Sequence, residues 1–347
     1  MDLKVLHAAI APGREFADDE IVAAAAALAD AAAPVAEKEA FLEALSHRGE
    51  TPSEIAAFAR AFRDLARNPG LERWAHEAID VCGTGGDRSG TFNVSTVVAF
   101  VLAAGRIPVI KHGNRSITSS CGSADLLEAL GFHLEPDAST LQRSMNELNF
   151  VFLFAPNFHP AFKEIGPVRK ALASRGVRTV FNLLGPLLNP ARPAYQLMGV
   201  PTESFVRPIA RALDALGIAS GLAVHCTGPG KRAFDELTVV GHNRATGAGR
   251  LRNTEFRFEA AGVGLAAGAL GDLAGGDKVA NIALLERILD GTAPTALVDT
   301  IVLNAAAALH VCGRATSIRD GLIPAREWLL GGAVRSWLTR ARDFYRA

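Results

Sequence analysis

Nothing in this chain constrains its fold more than the stretch from Asp80 to Gly131, which repeats one construction twice. A short apolar run (Ala78, Ile79, Val81) leads into Gly83-Thr84-Gly85-Gly86-Asp87. The apolar run from Val94 to Ala104 then has helical length, and Gly105 is placed to close it. Ile107 to Ile110 is short, branched and bounded by glycine and proline, which predicts a buried strand. A second polar loop occupies Lys111 to Gly122, and a helical pattern resumes near Ser123. Strand, loop, helix, strand, loop, helix is a parallel α/β unit. Both loops then fall at the carboxyl ends of their strands, the edge where open α/β sheets bind ligands.

The loop chemistry points to phosphate. Glycines at 83, 85, 86 and 90 let backbone N–H groups turn toward an anion with no side chain in the way. The helix that follows adds free N–H groups and a partial positive charge. Asn93, Ser95 and Thr96 stand at its start, as caps or as oxygen ligands. The second loop brings Lys111, His112, Asn114 and Arg115, with hydroxyls at Ser116, Thr118, Ser119 and Ser120. A lone GTGG is more often an ordinary turn. Two such loops on consecutive strands favour a site. No Gly-Lys-Ser/Thr ends the first loop, so a nucleotide-hydrolysing P-loop is excluded, and no acidic residue ends the second strand as a dinucleotide fingerprint requires.

Charge narrows the partners. Of 347 residues, 36 are Lys or Arg and 36 are Asp or Glu, so the basic excess of a nucleic-acid binder is lacking. The apolar runs at 22–36 and 296–313 are interrupted by Asp30 and Pro34, and by Asp299, Asn304 and His310, which disfavours a membrane span. The start lacks a basic segment followed by a clean apolar core, so a cytoplasmic protein is expected. Cys82, Cys121, Cys226 and Cys312 are scattered with no CxxC pair, which excludes the usual zinc spacings and argues against a disulfide framework.

Residues 1–70 are helical by pattern: Ile21, Ala24, Ala25 and Leu28 share a face, and Thr51-Pro52-Ser53-Glu54 reads as a helix start before Ile55, Phe58 and Phe62. Phe150 to Phe154 reads as a strand broken by Ala155-Pro156, with helical segments carrying Arg169, Lys170, Arg175 and Arg178 after it. Four basic residues on helices are ordinarily a solvated face. Leu197–Val200 and Leu222–His225 read as further strands around a helix at 204–216. Asp235-Glu236 follows a turn-rich linker; adjacent acids on a surface loop are ordinarily solvated, although magnesium is held through one or two carboxylates with phosphate oxygens. Residues 259–347 read as scaffold.

In combination, GTGGD, TFNVST, KHGNR and GSADLLEALG, then RTVFNLLGPLLNPARP (178–193) and FDEL (234–237), resemble the anthranilate phosphoribosyltransferase family over most of the chain. The resemblance implies an α/β fold: a small all-helical domain plus a larger domain with a mostly parallel central β-sheet flanked by helices. It implies residues 1–75 with about 157–180 as the helical, dimerising domain, and 76–156 with 181–347 as the α/β domain. The implied reaction transfers phosphoribosyl from 5-phosphoribosyl 1-pyrophosphate to the amine of anthranilate.

By the same resemblance, Gly83, Thr84, Gly85, Gly86, Asp87, Thr91, Asn93, Ser95, Thr96, Lys111, Thr118, Ser119 and Cys121 would hold the donor. Ser95, Asp235 and Glu236 would hold Mg²⁺. Gly83, His112, Asn114, His159, Arg169, Gly185 and Pro186 would hold anthranilate, with Arg169 on its carboxylate and Arg175 and Arg178 as the open alternatives. Departures from the family pattern lie mainly on the acceptor side: Phe158 replaces a common His, and Ala171–Gly176 is longer, while Thr118 stands for Ser. A different aromatic amine, or a nucleoside phosphorylase-type activity, are the alternatives.

Overall fold

The computed structural model describes residues 2–85, 89–115 and 120–346. Its centre is an eight-stranded sheet: β1 (Ile79–Gly83), β2 (Val109–Gly113), β3 (Phe150–Phe154), β4 (Tyr195–Gly199), β5 (Ser220–Thr227), β6 (Ala233–Phe234), β7 (His242–Gly249) and β8 (Glu255–Phe258). The order is β3-β2-β1-β4-β5-β7-β8, with β6 on β5; β1 to β5 run parallel, and β6, β7 and β8 are antiparallel to their neighbours.

The Val94–Ala104 helix is apolar all round, so it must be buried on every side. It lies between β1 and the helices Thr295–Val311, Ile318–Leu330 and Ala333–Arg346. Alternation along the strands divides the core. Leu197, Leu222 and Val224 face this helical layer, whereas Met198 and Ala223 face the Val206–Ala215 helix on the other side.

That second side is continuous with a helical bundle. The helices Leu3–Ala8, Asp18–Ala29, Val35–Arg48 and Pro52–Asp64 pack with Phe162–Ser174, joining Phe41, Phe58 and Phe62 to Ile165, Val168 and Leu172. Thr51 starts its helix as read: its hydroxyl accepts from Glu54 N at 3.3 Å, and Glu54 Oε2 accepts from Thr51 N at 3.0 Å. This reciprocal cap satisfies two otherwise orphaned donors. No helix among the described residues is long and apolar enough to cross a membrane.

Two local readings change. The second strand begins at Val109, because Pro108 has no N–H to donate, and it continues through Lys111 and His112 to Gly113. Those two residues belong to the sheet, not to the loop. Gly105 does end its helix, but at φ −78°; the left-handed residue is Arg106 at φ 60°. Glycine is needed there for space, since a Cβ would stand 2.3 Å from the Trp328 ring.

Candidate active site

Strand order reverses between β1 and β4, the point where open α/β sheets leave a crevice at their carboxyl ends. Gly83 and Gly199 are register partners at the ends of these strands. Asp235 closes over both. A Cβ on Gly83 would lie 2.3 Å from the Asp235 carboxylate, and one on Gly199 would lie 1.4 Å from its carbonyl oxygen. Gly85, at φ +68°, donates its N–H to Asp235 Oδ2 at 2.7 Å, and Thr84 donates to Gly199 O at 3.0 Å. Glu236 beside it is only 9% exposed. The acidic pair is therefore packed onto the sheet edge, not solvated on an open loop as adjacency alone suggested.

Lys111 reaches the same place from β2. Its Nζ is buried and donates to Val81 O and, at 3.2 Å, to Ser95 Oγ at the start of the Val94–Ala104 helix. Burial pulls its pKa down, while Asp80, Cys82 and Asp235 push it up. Asp80 is fully buried on β1. It accepts from Asn189 Nδ2 at 2.9 Å and from His112 N at 3.4 Å. Burial raises the Asp80 pKa to about 6, against the opposing pull of Lys111. Thr84 and Thr96 hold buried hydroxyls with no hydrogen-bond partner among the described residues, as donors and acceptors kept for a ligand would be. Asn93 ties the two loops, donating Nδ2 to Cys121 O at 3.0 Å. Thr91 is half-buried. Gly86, Asp87, Thr118 and Ser119 lie outside the described residues.

The acceptor candidates gather beside β2. His112 Nε2 and His159 Nε2 are 3.2 Å apart, both rings buried. Burial lowers their pKa values to about 3 and about 4, so both are neutral at pH 7. The turn Gly185–Leu188 lies against them. Pro186 O accepts from Gln196 Nε2 at 2.8 Å, Leu187 O accepts from Arg63 Nε at 2.6 Å, and the Gly185 and Leu188 carbonyls interact with the two imidazoles. Asn114 is exposed at the end of β2.

The three candidate arginines separate clearly. Arg175 pairs with Glu39 at 3.1 Å and Glu43 at 3.4 Å. Arg178 lies past the helix, its carbonyl accepting from Ser46 Oγ. Arg169 is half-buried, has no carboxylate within ion-pair distance among the described residues, and stacks 5.7 Å from the Phe181 ring centre. Burial lowers its pKa as well.

Sequence reading missed Asp80, Asn189, Gln196 and Arg63. An aspartate inside an apolar strand was the available signal, since a buried carboxylate needs partners. Part of the 259–347 scaffold also supports the site directly. Phe92 N donates to Leu273 O at 3.0 Å, Gly275 N donates to Gly90 O at 2.9 Å, and Thr91 bridges Ala274. The 273–281 stretch backs the first loop.

A site at the switch point, built from a glycine loop, a buried lysine and two carboxylates, is that of an enzyme handling a phosphorylated substrate. Residues 75–335 match the α/β domain of a glycosyl transferase family, and residues 4–66 match its helical bundle domain. Anthranilate phosphoribosyltransferase of Roseiflexus sp. is 41% identical over 333 residues, covering 95% of this chain and 94% of that protein. The Thermus thermophilus enzyme is 44% identical over 88% of both. A crystal structure of the Thermus thermophilus enzyme superposes with a TM-score of 0.88 at 40% identity, covering 99% of each chain. The Saccharomyces cerevisiae enzyme in complex with phosphoribosyl pyrophosphate and Mg superposes at 0.78 with 25% identity, covering 95% of this chain and 92% of that one. This chain belongs to the anthranilate phosphoribosyltransferase family.

Proposed function

We propose that this protein transfers the phosphoribosyl group of 5-phosphoribosyl 1-pyrophosphate to the amine of anthranilate, releasing pyrophosphate in tryptophan biosynthesis. The observation that carries this reading is the placement of Asp235 across the ends of β1 and β4, in hydrogen-bond contact with the glycine loop. Gly83, Thr84, Gly85, Gly86 and Asp87, with Thr91, Asn93, Thr96, Lys111, Thr118, Ser119 and Cys121, form the donor side. Asp235, Glu236 and Ser95 are hard oxygen donors, two of them carboxylates, which suits Mg²⁺ shared with pyrophosphate oxygens. Bound there, Mg²⁺ would supply charge stabilisation for the departing pyrophosphate.

The chain's own groups do the rest. As the C1–O bond breaks, both electrons leave with pyrophosphate, and Lys111 with the Thr84 and Thr96 hydroxyls would meet charge that is larger in the transition state than in the ground state. The amine lone pair forms the new N–C1 bond, and one amine proton passes to water. An aromatic amine is neutral at pH 7, so orientation is the larger task. Arg169 would grip the carboxylate through its guanidinium fork. His112, His159, Asn114 and the Gly185-Pro186 turn would wall the ring. Neutral imidazoles there add no charge to compete with Arg169.

We also assign residues 1–75 with about 157–180 to a helical domain through which two copies pair. Exposed Val5, Val22 and Val35 on three successive helices provide apolar surface for that contact. Sedimentation would report a species of twice the chain mass. For the reaction, steady-state rates against anthranilate, substituted anthranilates, and a nucleoside with phosphate test the acceptor. Anthranilate is expected to be best; a clearly better substituted amine, or phosphorolysis of the nucleoside, overturns the assignment.

A further inference from the structure

One side chain outside every motif reaches the donor site. Asn281 lies in the first turn of the Lys278–Leu289 helix and is 2% exposed. Its Oδ1 accepts from Gly276 N at 2.7 Å, and its Nδ2 donates to Asn93 Oδ1 at 2.9 Å. Asn93 in turn donates Nδ2 to Cys121 O at 3.0 Å. The chain of amides runs from a backbone N–H to a backbone C=O, and each end has fixed polarity. Both amides are thereby oriented without ambiguity: reversing either one sets donor against donor or acceptor against acceptor.

We infer that Asn281 is a positioning residue for the phosphoribosyl pyrophosphate site, setting the orientation of the Asn93 amide and so the spacing of the two phosphate loops. The inference rests on the donor-site reading above. Three observations support it. Asn93 belongs to the helix start that follows the first loop, and Cys121 ends the second, so their bond is a tie across the site. Asn281 fixes which end of Asn93 makes that tie. The segment just before it, Leu273 to Gly275, already holds residues 90–92 by backbone hydrogen bonds, and a Cβ on Gly275 would lie 2.8 Å from Thr91 O. Asn281 therefore acts from a rigid base. Its helix is capped independently by Asp277, whose carboxylate accepts from Ala280 N at 2.9 Å.

Asn281→Asp isolates the role. An aspartate still accepts from Gly276 N, but it cannot donate to Asn93, so the Asn93 amide turns and loses Cys121 O. Asn281→Leu removes the same donor without adding charge. Donor affinity is read by calorimetry with phosphoribosyl pyrophosphate and Mg²⁺, and turnover by donor and acceptor KM. Both variants are expected to weaken donor binding about tenfold, corresponding to loss of one hydrogen bond of about 1.4 kcal/mol. Anthranilate KM at saturating donor stays within about twofold, and the melting temperature of either variant falls by no more than a few degrees. Unchanged donor affinity in both variants overturns the inference. So does weakening in the Asp variant alone, which would be charge repulsion, or a parallel loss of stability and of both substrates, which would be a structural role. Donor binding by the unsubstituted protein tests the underlying reading separately.

Discussion

Gly83→Ala applies a defined push to the Asp235 carboxylate. The new methyl would lie 2.3 Å from Asp235 Oδ2 and 2.7 Å from its Cγ. Ordinary contact begins near 3.4 Å, so the carboxylate must retreat by about 1 Å. Retreat also stretches the 2.7 Å bond from Gly85 N, a charge-assisted bond contributing about 1.5–3 kcal/mol. A displacement of about 1 Å at a reacting centre costs on the order of 100-fold in rate. The flexible carboxylate can rotate aside, so the fold survives. Gly199→Ala differs, because its methyl would meet the Asp235 backbone oxygen at 1.4 Å and no rotation relieves it; loss of soluble protein is expected. The assay is kcat/KM for the Gly83→Ala enzyme across a Mg²⁺ titration. The expected result is a fall of about 100-fold with half-saturation moved to higher Mg²⁺. A rate within about threefold of the unsubstituted enzyme, at unchanged half-saturation, would refute the placement of Asp235 as a metal ligand.

Three further outcomes are expected. Asp235→Asn combined with Glu236→Gln lowers turnover on the order of 100-fold or more at low Mg²⁺, and near-normal turnover rules out the metal assignment. Arg169→Lys raises anthranilate KM about tenfold and leaves donor KM unchanged, because a point charge replaces a bidentate fork; Arg175→Lys, in an exposed pair contributing under about 1 kcal/mol, changes neither KM, and equal effects at both sites sink the distinction. Acid stability follows the buried ionisable groups. His112 and His159 stay neutral to about pH 3 and 4 when folded but take up protons near pH 6.5 when unfolded, so each removes about 1.4 kcal/mol per pH unit as pH falls below 6.5. Asp80, raised to about 6 when folded, is protonated before its unfolded counterpart and opposes one histidine between pH 6 and 3.8. Chemical denaturation should therefore show stability falling between pH 6 and 4 by about one histidine's slope, and His159→Asn should flatten it; an unchanged pH slope in that variant contradicts the buried neutral pair.

What could be seen in the sequence depended on range. The Val94–Ala104 helix, the Phe150–Phe154 strand and the Thr51 cap are local patterns of period and capping, and they appear where read. The length of β2 was not local. Lys111 and His112 look like loop residues until the Asp80 carboxylate and the Gly185–Leu188 turn supply partners from elsewhere in the chain. Asp235-Glu236 looked solvated because the space for it is made by two glycines, at 83 and 199, far away in sequence. Choosing among Arg169, Arg175 and Arg178 required knowing that Glu39 and Glu43 neutralise one of them across a helix pair. Asn281 carried no motif at all, and only the amide chain through Asn93 reveals it.

The most direct test is product formation from anthranilate and phosphoribosyl pyrophosphate, with and without Mg²⁺, followed by the loss of anthranilate fluorescence. Mg²⁺-dependent loss, abolished by omitting either substrate, is the predicted result. No fluorescence loss at any Mg²⁺ concentration, from a protein that still binds phosphoribosyl pyrophosphate, would contradict the acceptor; absence of donor binding as well would contradict the site itself.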